Sequence, residues 1–281
     1  MEYNRRLMEM KSKTVLLKGL NRGLAPSRSS NGITVKTSAE LDRMLEAGRI
    51  TGEVLSVLRD SISEGMTTYE LDQIAEKEIR QRGGIPAFKG YRGFPATLCV
   101  SVNEEIVHGI PSGRVIENGD VIGLDLGAIV DGLYGDSAIT VAVGNQSIET
   151  LDQIATGKAA LFAGIEQVRS GNRIGDVSNA IEAEICRRGK FGIVREYVGH
   201  GIGRRLHEEP SVPNFGPSDR GPVLKPGMAI AIEPMINLGG DETRVLEDDW
   251  TVVTADGTVS VHFEHTIIVT ENEPIITTKV D

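Results

Sequence analysis

Apolar residues recur along this chain in two rhythms. At helical spacing, Leu41, Met44 and Leu45 follow the stretch Thr37 to Glu40, and Leu71, Ile74, Ala75 and Ile79 follow Thr67 to Glu70. A threonine with a glutamate three residues on is the pattern of a capping box, in which side chains satisfy the free backbone donors of a helix start. A second pair of helices is predicted over 148–168 and 174–188, with Ile181 and Ile185 on the buried stripe of the latter. Elsewhere the rhythm is that of strands. VIGLDLGAIV, the pair Asp131-Gly132 and LYGDSAITVAV read as a hairpin, because a two-residue Asp-Gly link between apolar runs is a strong turn signal. AIAI before Glu233 and VHFEHTIIVT around Glu264 read as further strands, the first ended by Pro234.

The plan is used twice. Residues 64–84 align without gaps with residues 170–190, and Gly65/Gly171, Glu76/Glu182, Glu78/Glu184, Ile79/Ile185, Arg82/Arg188 and Gly83/Gly189 are identical. An α+β architecture of two related halves follows. Helices are expected to cover the outer face of an antiparallel-rich sheet, with a site at the junction.

Composition adds a boundary. With 40% apolar and 25% charged residues, the 281-residue chain suits one domain of moderate size. The first 32 residues carry seven lysines or arginines against Glu2 and Glu9, a net of +5, which leaves −15 on the rest. Residues 1–32 therefore read as a basic, flexible extension, or as the product of an upstream start with Met8 or Met10 as the true one, and 33–281 as the catalytic domain. Weak docking on ribosomal RNA is the functional reading of that charge. Cys99 and Cys186 offer no disulfide framework, and no stretch reaches a transmembrane length or resembles a signal peptide, so a cytoplasmic monomer is expected.

The chemistry sits in the second rhythm. If Asp131 and Gly132 are the turn, Val130 pairs with Leu133, Asp125 faces Ala138 and Asp136 faces Gly127. Both aspartates then share one face as diagonal neighbours, about 7–8 Å apart at the backbone. Gly127 is expected to leave room for an ion beside Asp136. Two solvated aspartates on an exposed hairpin would need no partner, but Ile122, Leu124, Leu126, Ile129 and Val130 make this strand apolar, and an unpaired buried carboxylate costs several kcal/mol. Three more candidate ligands sit in similar settings: His200 on a glycine-punctuated loop with His207, Glu233 at the end of its apolar run, and Glu264 inside a strand. Four carboxylates and one imidazole suit two divalent cations that activate water for hydrolysis.

The motifs SVNEEIVHGIP, GLDLGAIVDGLYGDS, YVGHGIGRRLHEEP, AIEPM and DDWTVVTADGTVSVHFEHT, in this order over about residues 33 to 275, resemble those of the type I methionine aminopeptidases. The resemblance implies the pita-bread fold, with pseudo-two-fold halves around a dinuclear metal site, and removal of the initiator methionine from nascent polypeptides. Residue by residue it implies Asp125, Asp136, His200, Glu233 and Glu264 as metal ligands, Asp136 and Glu264 bridging, with cobalt, manganese, iron or zinc as the ions. It implies His108 and His207 as substrate contacts and Tyr91, Phe94, Cys99, Leu206 and Trp250 as pocket residues. In that scheme Glu233 is the general base, His207 stabilises the oxyanion and His108 contacts the scissile amide or the second residue. Three positions depart from the family pattern: Leu206 where phenylalanine is common, Phe88 where a smaller residue is, and His262 where glutamine is frequent.

Two other functions share this fold. A prolidase or aminopeptidase P normally carries a large amino-terminal domain, which 32 residues cannot supply. A non-catalytic binding module loses ligands, and all five are present here. The interval from Glu233 to Glu264 is too short for the helical insertion of type II enzymes.

Overall fold

In the computed structural model, residues 32–279 are described, so all of the basic extension but Gly32 lies outside the described residues. Among the described residues the α-helices are α1 (Ser38–Ser61), α2 (Thr68–Gln81), α3 (Ile148–Glu166) and α4 (Ile174–Arg188). The strands in chain order are β1 (Ile85–Pro86), β2 (Leu98–Val102), β3 (Glu105–Val107), β4 (Val121–Val130), β5 (Leu133–Ala142), β6 (Gly192–Ile193), β7 (Gly199–Gly201) and β8 (Glu208–Val212). They continue with β9 (Ala229–Ile232), β10 (Met235–Asn237), β11 (Thr243–Val245), β12 (Val252–Thr254), β13 (Ser260–His262), β14 (His265–Ile268) and β15 (Ile275–Ile276).

The local signals form as the sequence predicts. Thr37 and Thr67 each accept from the N–H of the glutamate three residues on, and Glu40 and Glu70 each return to the threonine N–H. Helix α3 ends two residues before the expected 168, because the N–H groups of Gln167 and Val168 tighten onto Gly164 and Ile165 carbonyls. Asp131 and Gly132 turn with φ of 45° and 78°, both in the left-handed region that a type I′ turn requires. Strands β4 and β5 then pair in the expected register, Asp125 opposite Ala138 and Asp136 opposite Gly127.

Every strand pair is antiparallel, but the sheet is divided. Strands β1, β4, β2 and β5 form one sheet, β15-β14-β9-β7-β8 a second, and two three-stranded sheets fill the ends. The division has a local cause at VHFEHTIIVT, which was expected to be one strand. It splits into β13, paired with β10, and β14, paired with β9. Glu264 lies in the break rather than inside a strand, and its N–H and C=O engage Ala138 at 2.9 and 3.3 Å.

The duplicated plan is visible atom by atom. Gly65 and Gly171, with φ of 90° and 95°, precede α2 and α4, and their N–H groups reach the carbonyls of Ile116 and Leu224. The helix-start residues Thr67 and Arg173 bridge Val115 and Val223. Those segments lead into β4 and β9; Asp125 is the fifth residue of β4, and Glu233 stands in the equivalent place directly after the four residues of β9. One apolar core lies in each half, around Leu71, Ile79 and Leu124 in the first and Ile181, Ile185 and Ile232 in the second. Among the described residues no helix is long and apolar enough to cross a membrane.

Candidate active site

A cavity of about 330 Å³ opens at the junction of the halves. Asp125, Asp136, His200, Glu233 and Glu264 line it, each delivered by a different segment. The ligand atoms of Asp136, His200 and Glu264 all lie within 4.8 Å of one another. Glu233 joins them through Oε1, 3.5 Å from His200 Nε2.

These side chains are costly where they stand. Asp125 Oδ1, Asp136 Oδ1 and Glu264 Oε1 are buried with no hydrogen-bond partner. Burial pushes the Asp125 carboxyl up to about 7 and raises Asp136, Glu233 and Glu264 well above the usual range, neighbouring carboxylates adding to the last three. Divalent cations would remove both penalties at once. The imidazole fits the same purpose: His200 Nδ1 lies 3.0 Å from the Gly201 carbonyl, which directs its proton there and leaves Nε2 free as a donor atom, while burial lowers its pKa to about 4.

His200 is on strand β7, not on a loop as expected. Its glycines serve close packing: a Cβ on Gly199 would collide with the Ala231 carbonyl and one on Gly201 with that of Glu209. Gly127 likewise differs from expectation. A Cβ there would come within 2.9 Å of Ala87 and 3.2 Å of the Phe88 ring, so this glycine makes room for the pocket wall rather than for an ion.

The expected pocket residues all reach the cavity. Tyr91, Phe94, Cys99, Leu206 and Trp250 line it together with His108 and His207. Cys99 arrives through register, since it pairs with Asp125 across β2 and β4. Phe94 and Trp250 meet edge to face at 5.1 Å. His108 has φ of 62°, uncommon for a residue with a side chain, and packs edge-on to Trp250 and Tyr197. His207 Nδ1 lies 2.8 Å from the Tyr91 hydroxyl, and its ring centre is 4.3 Å from that of His200. Burial first, then the neighbouring His200, Arg92 and His108, lower its pKa to about 3, so the ring is neutral near pH 7.

Residues 42–271 match the model of metallopeptidase family M24. The chain belongs to that family. Among M24 relatives, methionine aminopeptidase 1 of Bacillus subtilis is 48% identical over 88% of this chain and 100% of that protein. The crystal structure of the methionine aminopeptidase from Thermotoga maritima has a TM-score of 0.87 at 41% identity, over 88% of this chain and 100% of that one. A prolidase from Pyrococcus furiosus superposes with a TM-score of 0.71 at 23% identity, and the match covers 66% of that chain. The last likeness concerns the fold alone. The M24 pita-bread fold expected from the motifs is thus present, and relatives matched along their whole length are methionine aminopeptidases.

Sequence reasoning missed several contributors to this M24 site. Tyr197, Glu196 and Val198 line the cavity just ahead of β7, and YVGHG, already singled out for its histidine, carried the signal. Arg92 joins them from the turn after Tyr91. His262, noticed only as a departure from the pattern, is buried with Nε2 3.7 Å from Glu233 Oε2 and its pKa lowered to about 3 by burial. His265, next to Glu264, turns away from the site and meets Phe162 and Thr278 instead.

Proposed function

We propose that this protein is a cytoplasmic, metal-dependent aminopeptidase that removes the initiator methionine of nascent polypeptides and prefers a small second residue. The observation that carries the reading is the union of two kinds of group in one cavity: the acidic side chains with His200, and the largely apolar set Tyr91, Phe94, Cys99, Leu206 and Trp250. Asp125, Asp136, His200, Glu233 and Glu264 would hold two divalent ions of the cobalt, manganese, iron or zinc class. Bound there, the ions supply Lewis acidity that activates water and polarises the carbonyl after the first residue.

The chain's own groups do the rest. Glu233 takes the proton of the attacking water on its carboxylate and returns it to the departing amine. The Tyr91 hydroxyl lies 2.8 Å from His207 Nδ1; as the donor in that contact it would leave the proton of the neutral ring on Nε2, available to the developing oxyanion. His108, at the rim with Trp250 and Tyr197, contacts the scissile amide or the second residue. The apolar pocket takes the methionine side chain, whose polarisable thioether gains from aromatic neighbours. Residues 33–281 are the catalytic domain, and residues 1–32 add weak, salt-sensitive ribosome docking, measurable as the binding lost on their deletion.

The test is release of methionine from a Met-Ala peptide by metal-stripped protein supplied with single divalent metals. Restoration by at least one metal is expected. No release with any of them, or preferential cleavage of Xaa-Pro dipeptides, overturns the reading.

A further inference from the structure

The loop that carries Leu206 and His207 joins the paired strands β7 and β8, and backbone bonds to other segments hold only its start, Ile202 N–H to the Ala229 carbonyl at 3.1 Å and Tyr134 N–H to the Gly203 carbonyl at 2.9 Å. Strand β7 ends at Gly201 after a register shift, and β8 begins at Glu208. The loop is closed by Glu208 itself. Its Oε1 accepts from the N–H groups of Arg204 at 2.8 Å and Arg205 at 3.2 Å, which folds the chain back on the residues just before the histidine. Its Oε2 accepts from Thr34 Oγ1 at 2.6 Å and Lys36 Nζ at 3.1 Å. The Lys36 and Glu208 side chains are 1% and 2% exposed. The neighbourhood is shaped around them, since a Cβ on Gly203 would collide with Lys36 Cε. Arg204 adds a second tie, 2.5 Å from Glu40 Oε1, while the other oxygen of Glu40 closes the α1 cap.

We propose that the buried Lys36–Glu208 pair, with Thr34, is the positioning element of the substrate pocket: it fastens the 203–208 loop to the segment ahead of α1 and so sets Leu206 and the His207 imidazole against the cavity. Thr34 and Lys36 precede residue 42, where the family match begins, so this tie enters from outside the matched region. Its worth lies in geometry. A fully buried ion pair is a weak source of stability, and apolar groups of similar volume often replace one without loss. Four donors on one carboxylate, two from the loop and two from a distant segment, instead fix the loop in one arrangement. Small displacements of a group that acts on the transition state cost rate rather than substrate binding.

The catalytic half of this inference rests on the reading of His207 as the oxyanion group, and the experiment separates the two. In Lys36→Met/Glu208→Gln the charges leave together at nearly constant volume. The expected result is an unfolding midpoint near that of the parent, kcat lower by about 10- to 100-fold at little changed KM, and displaced imidazole nitrogen resonances of His207 in the metal-free protein. Lys36→Met alone, which leaves the carboxylate without its counter-charge, should be less stable than the double variant. Thr34→Val, which keeps both charges, should move the same resonances less. If His207→Ala leaves kcat intact, the oxyanion reading fails while displaced resonances still support the tie. Unmoved His207 resonances in a folded double variant overturn the tie, whatever the rate.

Discussion

The Thr266 hydroxyl clasps Asp136 from both sides of its backbone, accepting from the Asp136 N–H at 3.0 Å and donating to the Asp136 carbonyl at 2.8 Å. Thr140 does the same to His262, at 2.9 and 2.8 Å. The two clasps flank the reciprocal Ala138–Glu264 pair, so the halves are joined just where their acidic residues emerge. Thr266→Val should therefore weaken metal binding by about 10- to 100-fold, the scale of groups that orient a ligand without touching the ion. Calorimetric titration of stripped protein measures it. Unchanged affinity would mean that the β4–β5 hairpin alone holds Asp136.

Glu233→Gln should keep the fold and slow turnover by at least ~100-fold, the scale of a lost general base. Glu233 is also a proposed ligand, so metal content has to be measured beside the rate. Near-normal turnover in a metal-replete variant would remove Glu233 from the base role.

Metal removal should leave a distinctive pH dependence. In the metal-free fold the Asp125 carboxyl is held up at about 7, and Asp136, Glu233 and Glu264 are raised well above their usual range. His200, His207, His262 and His265 are lowered to between about 3 and about 4. Between pH 4 and 6.5 the two sets oppose each other, the carboxylates favouring acid and the histidines base. Above about 6.5 the unfolded histidines lose their remaining charge and the raised carboxylates come to dominate. The folded state then binds more protons than the unfolded one, so stability falls as pH rises from 6.5 through 7 toward 8. Denaturant unfolding of stripped protein at the two ends of that range should show the loss, and metal-loaded protein should not. Flat behaviour of the stripped form would mean that the carboxylates are already ionised in the cavity.

Local signals and the site were legible to different depths. Capping boxes, the Asp-Gly hairpin and the register that unites Asp125 with Asp136 are short-range geometry, and sequence spacing reports them directly. The duplicated helices were visible because equivalent backbone conformations ask for the same residues, such as Gly65 and Gly171. The break at Glu264 was not, since it arises from backbone pairing with Ala138, far away in the chain. Gly127 was noticed for the wrong reason, because a sequence does not show which backbone or ring will press on a glycine. Tyr197 and the Lys36–Glu208 pair were missed for the same cause: their roles exist only once distant segments are packed together.

Substrate choice should be read most directly at Leu206. This side chain is buried, 3% exposed, and lines the cavity beside His207. Met-Ala and Met-Gly peptides should be cleaved far faster than Leu-Ala or Met-Lys, and acetylation of the amine should abolish cleavage. A closed apolar pocket separates methionine from leucine only modestly, by roughly 1–3 kcal/mol or about 10- to 200-fold. Within that range the wall decides. Leu206→Phe adds a ring to a cavity already bounded by Phe88, Phe94 and Trp250, and overpacking of such a wall costs about 1–3 kcal/mol. The Met-Ala to Leu-Ala ratio of kcat/KM should therefore shift while metal content stays the same. A ratio unchanged from the parent would place the methionine side chain elsewhere in the cavity, away from the loop that Glu208 closes.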